Sequence, residues 1–215
     1  MFGWRRLSRR LLWYGQPSRR RRLTPLLLQC WQARSNLRQW RAQTLLVVDL
    51  ETSSLDPARG EVLSMGWVEV RAGSVRLATA RHVLLTTAGE VGDSACIHQL
   101  RDCELVGGLD PELALVALLE AAAGKVLVFH HADMDLAYLD ALCLRYAGAP
   151  LLLPYVDTLQ LERQKLLRQQ PVLVSGALTL AQCRQRYGLP AVEGHNALVD
   201  AMATAELLLA ILAWQ

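Results

Sequence analysis

Asp49 and Glu51 stand two residues apart at the end of the apolar run Leu45-Leu46-Val47-Val48, where composition predicts a buried strand. Side chains alternate between the faces of a strand, so both carboxylates point the same way. Two like charges side by side repel each other and are costly to desolvate. A hard divalent cation such as magnesium is the usual compensation, because it prefers carboxylate oxygens. An isolated Asp-x-Glu can equally mark a strand end where two acids meet water, so the rest of the chain must decide.

Two further segments carry polar groups where an ordinary core would not. In His130-His131-Ala132-Asp133-Met134-Asp135, the last acid opens the apolar stripe Leu136, Leu139, Leu142 and Cys143 of a predicted helix. An ordinary first-turn acid favoured by the helix dipole fits Asp133 better than Asp135. In Gly194-His195-Asn196-Ala197-Leu198-Val199-Asp200, the histidine sits just before a helix and Asp200 about one turn inside it. Ala197, Ala201, Ala203 and Ala205 are small enough for that helix to approach a sheet closely. Asp157, between a strand end and a helix start, reads as a cap.

The elements that must position these groups follow an α/β pattern from residue 45. Strands are predicted at 45–50, 62–70, 75–85 and 126–129, with Gly73-Ser74 as a hairpin turn. Val156-Asp157 forms a further strand end. Helices are predicted at 111–123, 133–147, 158–168, 178–187 and 196–213; Asp110-Pro111 is a cap followed by proline at the first helical position. The first strand is continuous and apolar, the mark of a central position.

The net charge of +3 over 215 residues hides an asymmetry. Residues 1–44 carry eleven Arg and no acid, which leaves twelve Lys and Arg against twenty acids in the remainder, a net charge of −8. The division expected is a basic arm at 1–43 and a domain at 44–215. Trp4, Leu7, Leu11 and Tyr14 suggest a short basic amphipathic helix, followed by Gly15-Gln16-Pro17 and the run Arg19–Arg22. Thr24-Pro25 starts a second helix with the apolar stripe Leu26, Cys30, Ala33, Leu37 and Trp40, beside Arg34, Arg38 and Arg41. Either the stripe docks on the domain and the arginines are solvated, or the arm meets phosphates, a protein partner or an anionic membrane surface. Five scattered cysteines without a Cys-x-x-Cys pair fit a reducing compartment. A bacterial cytoplasm is therefore expected, and the Arg-rich N-terminus also suits organelle targeting. No apolar run approaches a membrane span.

In order, Asp49-x-Glu51, Asp135 and His195-x-x-x-x-Asp200 resemble the DEDD-type 3′–5′ exonucleases of the His subclass, which include proofreading subunits of bacterial replicative polymerases. Val47-Val48-Asp49-Leu50-Glu51-Thr52-Ser53-Ser54-Leu55-Asp56 is similar to the family's first motif. Ile97-His98-Gln99-Leu100 resembles a segment before the middle helix, and His130-His131-Ala132-Asp133-Met134-Asp135 the second motif. Val156-Asp157-Thr158-Leu159, Leu178-Thr179-Leu180 and Tyr187-Gly188-Leu189 fit the spacer before the third. Departures fall at Ser53-Ser54, where Thr-Gly is common, at His131 in place of Asn and at Met134 in place of Phe; these bear on substrate preference and rate.

The resemblance implies an RNase H-like mixed five-stranded sheet flanked by helices, with the four acids gathered at one edge. It implies two Mg²⁺ or Mn²⁺ ions: Asp49 on both, Glu51 and Asp200 on one, Asp135 on the other. His195 is then the general base, and Thr52, Leu55 and His131 contact the terminal nucleotide. The expected activity is 3′–5′ hydrolysis of single-stranded nucleic acid, DNA ahead of RNA, to nucleoside 5′-monophosphates, with a DNA polymerase subunit as the partner. A non-catalytic accessory and an internally cutting nuclease are the rivals; the intact acid set argues against the first, and His195-x-x-x-x-Asp200 against the second.

Overall fold

The computed structural model of the chain describes residues 25–32, 37–87 and 107–214. Helix α1 (Pro25–Gln32) and a 3-10 segment (Leu37–Ala42) precede β1 (Leu45–Thr52), β2 (Val62–Arg71) and β3 (Ser74–Leu84). Then follow α2 (Pro111–Ala122), β4 (Val126–Phe129), α3 (Ala132–Ala147), β5 (Tyr155–Asp157), α4 (Thr158–Gln169), α5 (Leu180–Arg186) and α6 (Ala197–Ala213). The five strands form one mixed sheet in the order β3-β2-β1-β4-β5. β1 is antiparallel to β2 and parallel to β4, and β4 is parallel to β5. Apolar β1 is thus central, as its composition predicted.

Alternation along β1 divides the core. Leu46, Val48 and Leu50 face a layer of α1, α2 and α3, with Leu27, Leu115, Leu119, Leu136 and Leu139. Leu45 and Val47 face the opposite layer, with Val126, Val128, Val156 and the α6 residues Ala205 and Leu208. Asp49 and Glu51 continue this second face, the one that α6 covers. α6 lies across β1, β2 and β3.

Two expectations shift in detail. Arg71 pairs with Ser74, so the hairpin turn is Ala72-Gly73 and not Gly73-Ser74. Both turn residues have positive φ, +50° and +73°, the geometry that matches the strands' twist in a two-residue hairpin. In α1 the buried side chains are Leu27, Cys30 and Trp31, while Leu26 is half-buried, so the apolar face is rotated from the predicted stripe. Trp31 donates from Nε1 to the Leu151 carbonyl at 2.6 Å, and the Cys30 thiol to Leu119 O at 3.2 Å. These contacts lash α1 to the domain. The predicted helix at the extreme N-terminus, Arg19–Arg22, Ala33, Arg34 and Ile97-His98-Gln99-Leu100 lie outside the described residues. Among the described residues, no helix is long and apolar enough to cross a membrane.

Candidate active site

Three of the singled-out acids converge. Asp49 and Glu51 from β1 and Asp200 from α6 each offer an oxygen, and these oxygens all lie within 4.8 Å of one another. The register explains how. Asp49 pairs with Gly66 on β2. With no side chain at Gly66, the backbone of Ala197 and Leu198 rests on that strand. α6 therefore begins directly over the acid-bearing strand, and Asp200 projects from its first turn.

Asp135 stands outside that trio but is electrostatically tied to it. It is buried in α3, and the Leu50 N–H on β1 donates to its carboxyl. Burial, then Asp157 and Glu51, push its pKa well above the usual carboxylate range. Asp49 is likewise raised by burial and then by Asp135, Asp200 and Glu51. Glu51 is held up at about 7 by burial and by Asp200. Asp200 is raised by burial, an effect that the His195 and Asn196 N–H groups and the charges of His195 and Arg184 partly offset. The cluster thus resists carrying its full negative charge alone. All donors are hard carboxylate oxygens, so the set fits magnesium or manganese.

His195 lies at the rim, with φ +72°. Its backbone N–H donates to Asp200 Oδ2 at 2.8 Å, and Asn196 caps α6 through the N–H groups of Leu198 and Val199. Both His195 and Asp200 line a cavity of about 860 Å³ that also touches Asp49, His130 and Arg184. An exposed imidazole next to the acid trio can accept a proton there.

The three residues expected to meet a nucleotide differ. Leu55 is 84% exposed, three residues beyond β1. Its loop is anchored: Ser53 Oγ accepts from Glu61 N at 2.8 Å, Ser54 Oγ from Asp56 N at 3.0 Å, and Tyr138 donates to Ser54 O at 2.6 Å. Ser53 and Ser54 thus fasten this loop. Thr52 is buried and its hydroxyl donates to Ser54 O at 3.0 Å, so it holds the loop from inside. His131 is exposed, with φ +71°, at the start of α3.

Asp157 is the cap that its position suggested, and for two helices. Its carboxylate accepts from the N–H groups of His131 and Ala132 on the α3 side and of Leu159 in α4. Sequence reasoning passed over two lining residues. His130 donates from Nε2 to Leu178 O and meets Thr158 Oγ1 through Nδ1, both at 2.9 Å; burial lowers its pKa, which suits a neutral ring in a structural post. Arg184 is buried, donates to Ala203 O and Pro190 O, and pairs with Glu206 at 2.7 Å. An Arg within a helix that also carries exposed Gln and Arg gave no local sign of this.

Comparison with known proteins agrees with the geometry. A family model described as Exonuclease (RNase_T) matches residues 46–208. The chain is 27% identical over 167 residues to a PolC-type DNA polymerase III of Thermotoga maritima, covering 77% of this chain and 12% of that protein. It is 26% identical over 171 residues to the DNA polymerase III subunit epsilon of Aquifex aeolicus, covering 79% of this chain and 80% of that one. The fold is similar to E. coli Exonuclease I, solved in complex with a dA16 oligonucleotide, with a TM-score of 0.68 and 14% identity over 80% of this chain and 41% of that one. The chain thus spans about an eighth of the PolC-type polymerase and less than half of Exonuclease I.

Proposed function

Because this chain belongs to the Exonuclease family, we propose that it hydrolyses single-stranded DNA from the 3′ end, releasing nucleoside 5′-monophosphates. The observation that carries this is the convergence of Asp49, Glu51 and Asp200 beside the rim histidine His195. Asp49, Glu51 and Asp200, with Asp135 behind them, would hold two divalent cations. When bound, such ions neutralise the phosphodiester and acidify a water. The protein's own work is then positional. His195 takes the proton from the attacking water, the role an imidazole commonly fills as a general base. The His195 N–H holds one oxygen of Asp200, so base and ligand keep a fixed spacing. Leu55, on its fastened loop, offers an apolar surface to the terminal base, and His131 a polar one. Similarity to an epsilon subunit over four fifths of that protein supports a polymerase as partner. DNA is preferred to RNA on the same ground, since the similar proteins are named for DNA polymerases.

The experiment is digestion of 5′-labelled single-stranded DNA and RNA with magnesium, manganese or EDTA. A ladder shortening from the 3′ end, faster on DNA and silent in EDTA, is expected. Fragments that start internally, or cleavage that persists in EDTA, would refute the proposal.

A further inference from the structure

At the opposite end of α6 from Asp200 lies a second cleft, of about 560 Å³, at the far end of the sheet from the acid cluster. Along the helix the two lie about 20 Å apart at 1.5 Å per residue. Trp40 and Arg41, just before β1, form one wall; Lys165 and Arg168 of α4 form another, with Tyr187 and Trp214 closing it. Trp214 is 70% exposed. Its ring meets Tyr187 edge-on at 5.8 Å, and the Lys165 ammonium sits 4.5 Å from the Tyr187 ring and 5.8 Å from that of Trp214. Arg41 lies 5.6 Å from the Trp40 ring. Arg168 is exposed and makes no ion pair among the described residues. Among the described residues the one acid of the cleft, Glu162, is buried and paired with Arg186.

The acid cleft has the opposite character. Among the described residues its one lining Arg or Lys, Arg184, is buried and paired with Glu206. Among the described residues, a strand held there receives no phosphate contact from an exposed Arg or Lys of that cavity. Trp40 is buried and the Lys165 ammonium donates to the Tyr187 hydroxyl at 3.0 Å, so the exposed groups are Arg41, Arg168 and the Trp214 ring. Cations beside an exposed indole are what a nucleotide unit requires, a phosphate to pair and a base to stack. We propose that the Trp40–Trp214 cleft is a second nucleic-acid site, which takes a base and its phosphate from single-stranded nucleic acid and steadies the strand away from the chemistry. This rests on the proposed exonuclease function for its choice of ligand.

The test uses the full chain in EDTA, where hydrolysis is silent. Fluorescein-labelled oligothymidylate of about twenty nucleotides is titrated against wild type, Arg168→Glu and Trp214→Ala; both side chains are exposed, so folding is not at issue. Loss of one stacked base should weaken binding by about fivefold or more, and Arg168→Glu should make the salt slope shallower by about one. A parallel titration with thymidine 5′-monophosphate separates the sources: quenching that Trp214→Ala abolishes shows that the cleft takes free units, and binding by the oligomer alone assigns it to strands. Wild-type affinity and slope in both variants, or no binding by the wild type, would overturn the proposal and leave the cleft to a protein partner. Hydrolysis of a p-nitrophenyl ester of thymidine 5′-monophosphate by wild type with manganese tests the catalytic assignment separately, so either idea can fail without the other.

Discussion

Gly66 of β2 lies directly beneath Ala197 of α6, so close that a Cβ on Gly66 would overlap the Ala197 backbone. Gly66 is also the cross-strand partner of Asp49. One missing side chain therefore sets the height of the helix that delivers Asp200 above the strand that delivers Asp49. Gly66→Ala must lift α6 or bend β2. It is expected to cost about 1–3 kcal/mol, as overpacking does, and to lower metal-dependent hydrolysis by separating the acids. Urea unfolding and a manganese titration of activity measure the two effects; wild-type values in both would show that the close approach is not needed.

Asp49→Ala, or Asp200→Ala, should abolish hydrolysis while the protein stays folded. Each removes a carboxylate from a trio whose oxygens lie within 4.8 Å. Metal-free stability should hold or rise, because like-charge repulsion is relieved. Circular dichroism with activity at saturating magnesium checks both halves, and near-wild-type turnover would overturn the metal assignment.

Metal-free stability should fall with rising pH across the range set by Glu51. Its carboxyl ionises near 4.5 ordinarily and at about 7 in the folded protein. A carboxyl raised on folding binds more protons folded than unfolded between those values, so unfolding becomes easier as pH rises through them and levels off above. Asp49 and Asp135 act in the same direction. Glu51→Gln should flatten the profile, and magnesium should restore stability most at the alkaline end. Thermal melts from pH 4.5 to 8 decide it; a Glu51→Gln profile as steep as wild type would exclude Glu51 as the source.

His195→Ala should lose a factor of about 10²–10⁴ in rate, the usual weight of a general base, with little change in metal affinity. The side chain lies at the rim while its backbone N–H, which alanine keeps, holds Asp200. If metal affinity collapsed and the rate at saturating metal survived, His195 would be a ligand.

The arm's second helix is predicted to support the fold. Trp31 is fully buried and its indole N–H reaches Leu151 O at 2.6 Å. Trp31→Ala should cost about 3–5 kcal/mol, and deleting residues 1–43 should lower the melting temperature more than deleting 1–24. Equal melting temperatures for the two truncations would show that α1 contributes nothing. Comparing the salt slope of strand binding for the same proteins tests whether residues 1–24 meet phosphates, apart from this packing.

Much of the site was legible because its signals are local. The unbroken apolar run before Asp49 identified the central strand, and Asp135 at the head of an apolar stripe had to be buried. Period-2 alternation alone places Asp49 and Glu51 on one face of β1. What stayed hidden depends on contacts between distant segments. Gly66 reads as a weak point in a strand until α6 is laid across it. Arg184 has no mark in its own helix; its meaning comes from Ala203, Pro190 and Glu206. In α1, both Leu26 and Leu27 could have faced inward, and only the docking of Trp31 onto Leu151 selects the latter. The hairpin moved by one residue because the pairing of Arg71 with Ser74, not composition, fixes the loop.

The helix that carries buried Asp135 and the helix that carries Asp200 are each entered through a histidine in the left-handed region, His131 before α3 and His195 before α6. A residue with a Cβ pays about 1 kcal/mol or more for that conformation, and glycine does not. These two exposed imidazoles thus stand at points where the backbone is strained. Selection for heat resistance alone would favour glycine at both, and the resulting protein would be tougher and stripped of both histidines. The cleft keeps its chemistry by remaining slightly less stable than its backbone allows.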